Sequence, residues 1–182
     1  MKTYIALLRG INVSGQKIIK MELLRKVLGE LDFQNIRTYI QSGNIIFEST
    51  LSDTSLLEKQ IADVIEKHFG FVVPILIITP EELSAVIDKN PYTKENLINP
   101  TQPYVSFLSE VPKNENLEIL KAINFGADQF INTGKTLYIW YGNAAGTSKL
   151  TNVLIENKLK LRSTARNWKT VLKLYELATV HL

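Results

Sequence analysis

The chain has 182 residues, 45% hydrophobic and 21% charged, with 21 lysines and arginines against 18 aspartates and glutamates. This is the composition of a globular protein rather than a disordered one, and no apolar run approaches the roughly 20 residues of a membrane span. Cysteine is absent and the only histidines are His68 and His181, which excludes disulfides, thiolate nucleophiles and thiolate or multi-histidine metal sites.

In chain order, residues 3 to 9 read as a strand, cut off by Arg9 well short of a secretory core of roughly 7 to 15 apolar residues. The expected location is therefore the cytoplasm, without membrane contact. Residues 20 to 31 place Met21, Leu24, Val27, Leu28 and Leu31 at helical spacing. Residues 36 to 41 and 44 to 48 flank Ser42-Gly43 and predict a hairpin with a two-residue connection. A helix follows with Leu57, Ile61, Val64, Ile65 and Phe69 on one side and Gly70 just past its end, then a β-rich run, Val72 to Ile78. Thr79, Pro80 and Glu82 open a further helix through a capping box.

Residues 90 to 103 hold three of the six prolines and predict a linker, so the expected domains are 1–90 and 91–182. Beyond it the order recurs: strand 104 to 108, helix 115 to 123, strand 128 to 132, turn at Thr133-Gly134, strand 136 to 141, helix 148 to 158, strand 160 to 164, helix 167 to 178. The expected fold is α/β in the α+β sense: duplicated ferredoxin-like βαββαβ units with mostly antiparallel sheets, each unit followed by an extra helix. Ile5 and Leu7 alternate with Ala6 and Leu8, so both faces of the first sheet are expected to be covered rather than open.

Charge is unevenly placed. From Lys158 to Lys173 lie six basic residues and no acidic one, while the other 15 of the 21 basic residues share the chain with all 18 acidic ones. Such a run is ordinarily a solvated rim; its functional reading is an anionic partner.

Three polar constellations could carry chemistry. Arg9 to Lys17 form a loop with two glycines leading from strand to helix, where backbone amides can hold an anion; the spacing approaches a P-loop, but Lys17 comes one residue late and Ile18 replaces the magnesium-binding hydroxyl. Gln41, Ser42, Gly43 and Asn44 form the hairpin tip. Ser163 to Thr170 carry a strand into the last helix, with Thr164 or Asn167 as candidate N-cap and Arg166 inside the basic segment.

At these motifs YIALLRGINVSGQKIIKMELLRKVL, TYIQSGNIIF and TARNWKTVLKL, the chain resembles the bacterial family catalogued as domain of unknown function 1697. Where the family pattern has two adjacent glycines in the first loop, this chain has Ser14-Gly15. The resemblance implies the fold and marks Arg9, Asn12, Lys17, Gln41, Ser42, Asn44, Arg166 and Asn167 as motif positions, but it implies no reaction.

The first-choice function is binding of a small anionic or nucleotide-like ligand by those eight residues, since phosphate-type contacts need only amides, arginine and lysine. Strand direction supports it, because the Gly10–Lys17 loop and the Gln41–Asn44 tip fall at one end of one sheet. The alternative is a nucleic-acid-binding protein that uses the basic segment, with Tyr138 and Trp140 as stacking surfaces. Catalysis is a third class for which no nucleophile, base pair or metal set is legible, and no cofactor is expected.

Overall fold

A computed structural model describes residues 1–92 and 103–180; most of the expected linker lies outside the described residues. The chain divides into two compact units, Met1–Ser84 with Lys173–Leu182, and Ala85–Leu172.

Unit one contains β1 (Lys2–Leu8), α1 (Met21–Leu28), β2 (Gln34–Tyr39), β3 (Asn44–Ser49), α2 (Thr54–Phe69) and β4 (Ile75–Ile78), and α3 (Pro80–Asp88) runs across its boundary. Its four strands lie in the order β2-β3-β1-β4, every neighbouring pair antiparallel. Unit two contains β5 (Tyr104–Leu108), α4 (Asn114–Lys121), β6 (Gln129–Thr133), β7 (Thr136–Trp140), α5 (Asn152–Leu159) and β8 (Ser163–Asn167), with α6 (Trp168–Thr179) following. Its order is β6-β7-β5-β8, again fully antiparallel. Element order and strand order both repeat, so the protein is a mixed α/β fold of two ferredoxin-like units whose likeness fits a duplication.

Local chemistry explains the helix limits. Asp53 caps α2 by accepting the Ser55 and Leu56 N–H groups, and Gly70, left-handed at φ 76°, ends it. The capping box forms as predicted: Thr79 N–H donates to Glu82 Oε2 at 2.8 Å, and Glu82 N–H donates back to Thr79 Oγ1 at 3.2 Å. The α5 helix opens later than its spacing predicts. A 3-10 turn at Ala145–Thr147 precedes it, Ser148 turns its hydroxyl onto the Leu150 N–H, and Thr151 is the cap.

Three strand limits also differ from expectation. β4 begins at Ile75 because Pro74 has no N–H to give the ladder; its carbonyl still accepts the Arg9 N–H at 2.9 Å. The first hairpin turns through Ile40–Gly43, not through Ser42-Gly43 alone, because the last paired residues are Tyr39 and Asn44. β8 lies at Ser163–Asn167 rather than 160 to 164, since Lys160 ends α5 in the left-handed conformation and the ladder to β5 runs from Leu108↔Ser163 to Tyr104↔Asn167.

Of the four edge strands, β4 and β8 are protected alike. Glu58 of α2 accepts the Ile77 N–H at 3.1 Å, and Glu156 of α5 accepts the Ser163 N–H at 2.9 Å, so a helix carboxylate occupies part of each edge. In sheet one, Tyr4, Ala6, Leu8, Ile45, Phe47, Ile75 and Ile77 pack in one core with α1 and α2. On the opposite face Ile5, Leu7 and Ile46 are 0%, 0% and 1% exposed, so both faces are buried as the unbroken aliphatic pattern requires. Burial of each such side chain contributes about 2 kcal/mol.

Candidate functional site

The first loop and the first hairpin tip meet at one end of sheet one. Within the loop, Val13 and Gln16 pair as an isolated bridge around Ser14 and Gly15, both at positive φ, so this is a type I′ turn. The Gln16 N–H bonds the Val13 carbonyl at 2.9 Å and the Asn12 N–H bonds the Lys17 carbonyl at 3.2 Å. The loop is therefore a miniature hairpin whose inward amides serve itself, unlike a P-loop, where they face a phosphate.

Asn12 joins this hairpin to the tip. Its Nδ2 donates to the Ile19 carbonyl at 2.9 Å and to the Gln41 carbonyl at 2.8 Å, while Oδ1 accepts the Ile19 N–H at 2.8 Å. On the tip itself Asn44, fully buried, donates from Nδ2 to the Tyr39 carbonyl and to Ser42 Oγ, each at 3.0 Å. Gly43 closes the junction: its carbonyl accepts the Leu8 N–H at 2.8 Å, and a Cβ there would stand 2.7 Å from Leu8 Cβ and 2.8 Å from Ile11 Cδ1. Asn12 is thus spent on holding the two loops together and Asn44 on bracing the tip, and Gln41 and Ser42 are presented on a fixed backbone.

The cations divide between two sides. Lys17 donates from Nζ to the Val72 carbonyl at 2.7 Å and lies 5.9 Å from the centre of the Phe71 ring, so its ammonium is anchored. Arg9 continues β1 with the parity of Ile5 and Leu7 and so belongs to the sheet face turned away from α1 and α2. Arg37, on β2, pairs with Ile46 and through it with Ile5, which puts it on that same face. Both Nε atoms are buried, and the Arg37 guanidinium has no hydrogen bond or ion pair among the described residues. Sequence reading missed Arg37; the available signal was its place, odd-numbered like Tyr39, on a strand whose neighbours are aliphatic. Segments 9–20 and 36–47 together hold four basic residues and no acidic one.

The remaining two expected residues lie in unit two. Arg166 sits within β8, not at a helix end; it is 7% exposed, and its Nη1 donates to Thr164 Oγ1 at 2.9 Å and the Ala165 carbonyl at 2.8 Å. Burial pushes its pKa down to about 10, which leaves it a cation at neutral pH. Asn167 is the cap of α6, accepting the Thr170 N–H on Oδ1 at 2.8 Å. The expected stacking pair is not an open platform. Tyr138 is 1% exposed, with its hydroxyl donating to the Val86 carbonyl at 2.8 Å and its pKa pushed up to about 12 by burial. Trp140 is half-buried against Tyr92, ring centres 5.7 Å apart. Nor is the basic segment one face: Arg166 is inside, Lys160 is a helix cap, and Lys173 pairs with Glu176.

Among the described residues no three carboxylate or imidazole side chains gather as a metal site requires, and no helix is long and apolar enough to cross a membrane.

Fold and site together define a tandem ferredoxin-like protein with basic residues gathered at the hairpin end of its first sheet. The chain belongs to the family described as protein of unknown function DUF1697, whose model matches residues 1–138. It is similar in structure to a conserved bacterial protein, SP0830 from Streptococcus pneumoniae, at 21% identity and a TM-score of 0.68, over 97% of this chain and 98% of that one. At that identity the likeness speaks for the fold alone. A comparison with curated proteins finds no match.

Proposed function

We propose that the chain is a cytoplasmic binding protein for a small anionic or nucleotide-like ligand, held at the hairpin end of sheet one. The observation that carries this reading is Arg37, a partly buried guanidinium without a counter-charge among the described residues, on the same sheet face as Arg9. A buried cation is costly unless something compensates it, and an anion would compensate Arg37. From strand spacing and rise the two arginines are roughly 16 Å apart in backbone, a span that two extended side chains bridge through one phosphate or diphosphate group.

In this reading Arg9 and Arg37 supply charge-assisted bonds, and Gln41 and Ser42 add neutral donors from the tip. Lys17 contributes potential rather than contact, while Asn12 and Asn44 hold the frame. Arg166 and Asn167 carry no part of it.

The test is thermal denaturation with pyrophosphate as the probe. At a hundredfold excess over its dissociation constant the gain is about 2.7 kcal/mol of stability. Arg37→Ala and Arg9→Ala should each remove that gain while leaving the unliganded protein folded. An undiminished shift in both variants refutes the site. Binding of mixed-sequence oligonucleotides with a steep loss of affinity on adding salt, and none of pyrophosphate, would favour the nucleic-acid reading.

A further inference from the structure

Unit two holds a cleft of about 440 Å³ that shares no residue with the site in unit one. It lies between the loop that leads into β6 and the loop that leads from β7 toward α5, and its volume is within the roughly 300 to 1,000 Å³ of small-ligand sites. Two features fix its walls. Gly142 abuts Ala127 so closely that a Cβ there would stand 2.4 Å from Ala127 Cβ. Asp128 ties the loops together, accepting the Gly142 N–H on Oδ1 at 2.9 Å and the Ser148 hydroxyl on Oδ2 at 2.6 Å.

Around this cleft the Asp128 carboxylate and the Thr147 and Ser148 hydroxyls are engaged, whereas the Lys149 ammonium is not, among the described residues. Both Asp128 oxygens are bonded, Asn124 Oδ1 accepts the Gly126 N–H at 2.8 Å, and the Ala144 carbonyl accepts the Thr147 N–H and hydroxyl. Among the described residues the side chains of Asn143 and Lys149 make no hydrogen bond or ion pair, and the Asn124 amide donates none. With the Asp128 carboxylate occupied by Gly142 and Ser148, the charged group of the lining left without a partner among the described residues is the Lys149 ammonium, which selects a ligand that brings acceptors and negative charge. Phe125, held edge-on to Phe130 at 6.1 Å between ring centres, supplies an apolar wall.

We infer that this cleft is a second small-molecule site, for a ligand that joins a carboxylate or phosphate group to a planar apolar body, with Lys149 and Asn143 on the anionic group and Phe125 against the body. The inference is independent of the site in unit one, because the two share no residue.

The experiment is a titration followed by backbone amide NMR, with benzoate and phenyl phosphate as probes and acetate and inorganic phosphate as the same headgroups without the ring. Saturable shifts confined to residues 124–128 and 143–149, with the ring-bearing probes binding tighter than their bare headgroups, are expected. Lys149→Ala, an exposed substitution, should weaken the binding at least tenfold, and Arg9→Ala should leave it unchanged. Absence of saturable shifts at those amides for all four probes, or equal binding to Lys149→Ala, overturns the inference. Loss of binding with Arg9→Ala would assign the shifts to unit one and overturn it as well. The arms that bind tell whether the headgroup is carboxylate or phosphate.

Discussion

Asn12 donates a hydrogen bond of 2.8 Å to the carbonyl of Gln41, 29 residues away, and so fastens the first loop to the first hairpin tip. The same side chain exchanges two bonds with Ile19, and the residue holds a left-handed φ of 54°. Asn12→Ala removes three bonds, each of net worth about 1 kcal/mol, and strains a left-handed backbone position. The expected loss is about 4 kcal/mol by urea denaturation, with Asn12→Gly recovering only the backbone part of about 1 kcal/mol. A loss below about 1 kcal/mol in Asn12→Ala would mean that the two loops are held otherwise.

The two hairpin glycines separate conformational strain from steric conflict. Gly43 is at φ 78° and its Cβ would collide with Leu8 and Ile11, whereas Gly134 is at φ 57° with nothing within 4 Å. Gly134→Ala should cost about 1 kcal/mol, the left-handed penalty alone. Gly43→Ala adds overpacking and should cost about 3 kcal/mol or more. Equal costs in calorimetric melting would show that the tip yields at Leu8.

The corresponding helix ends α2 and α5 both close in the left-handed conformation, but the first uses Gly70 and the second Lys160, at φ 57°. The N–H of each bonds the carbonyl four residues back, Glu66 and Glu156. Lys160→Gly relieves a left-handed side-chain residue and should raise stability by up to about 1 kcal/mol. An unchanged or lowered melting temperature would count against the cap geometry.

Glu30 accepts bonds from Lys67 at 3.0 Å and from His68 at 2.7 Å, and these partners, Lys67 first, hold its carboxyl below the usual range. A depressed carboxyl pKa stabilises the fold above the unfolded value, near 4.5, and that contribution disappears as pH falls through the folded value. The urea midpoint should therefore fall less between pH 6 and pH 3 in Glu30→Gln than in the unaltered protein. Identical slopes would show that this exposed cluster does not couple to folding, as exposed pairs often fail to do.

The βαββαβ order, its repetition and the covered faces of sheet one were legible in the residues because each depends on local periodicity. The four-residue tip and the late start of β8 were not, since ladder register depends on a partner strand: Asn44 faces Tyr39, and Ser163 faces Leu108. The convergence of the loop on the tip was legible from strand direction alone. The roles of the residues there were not.

By itself the sequence determined two similar units and which loops share an end, because alternation, helical spacing and chain direction leave few ways to bury the aliphatic strands. Only the tertiary structure decided which motif side chains are spent and which remain available. Asn12 reaches a carbonyl 29 positions away, Lys17 one 55 positions away, and Arg166 turns inward, while Arg37, outside the expected set, lies on the face of Arg9. A hydrogen bond consumes a donor wherever its acceptor stands along the chain, and that acceptor is found only in three dimensions.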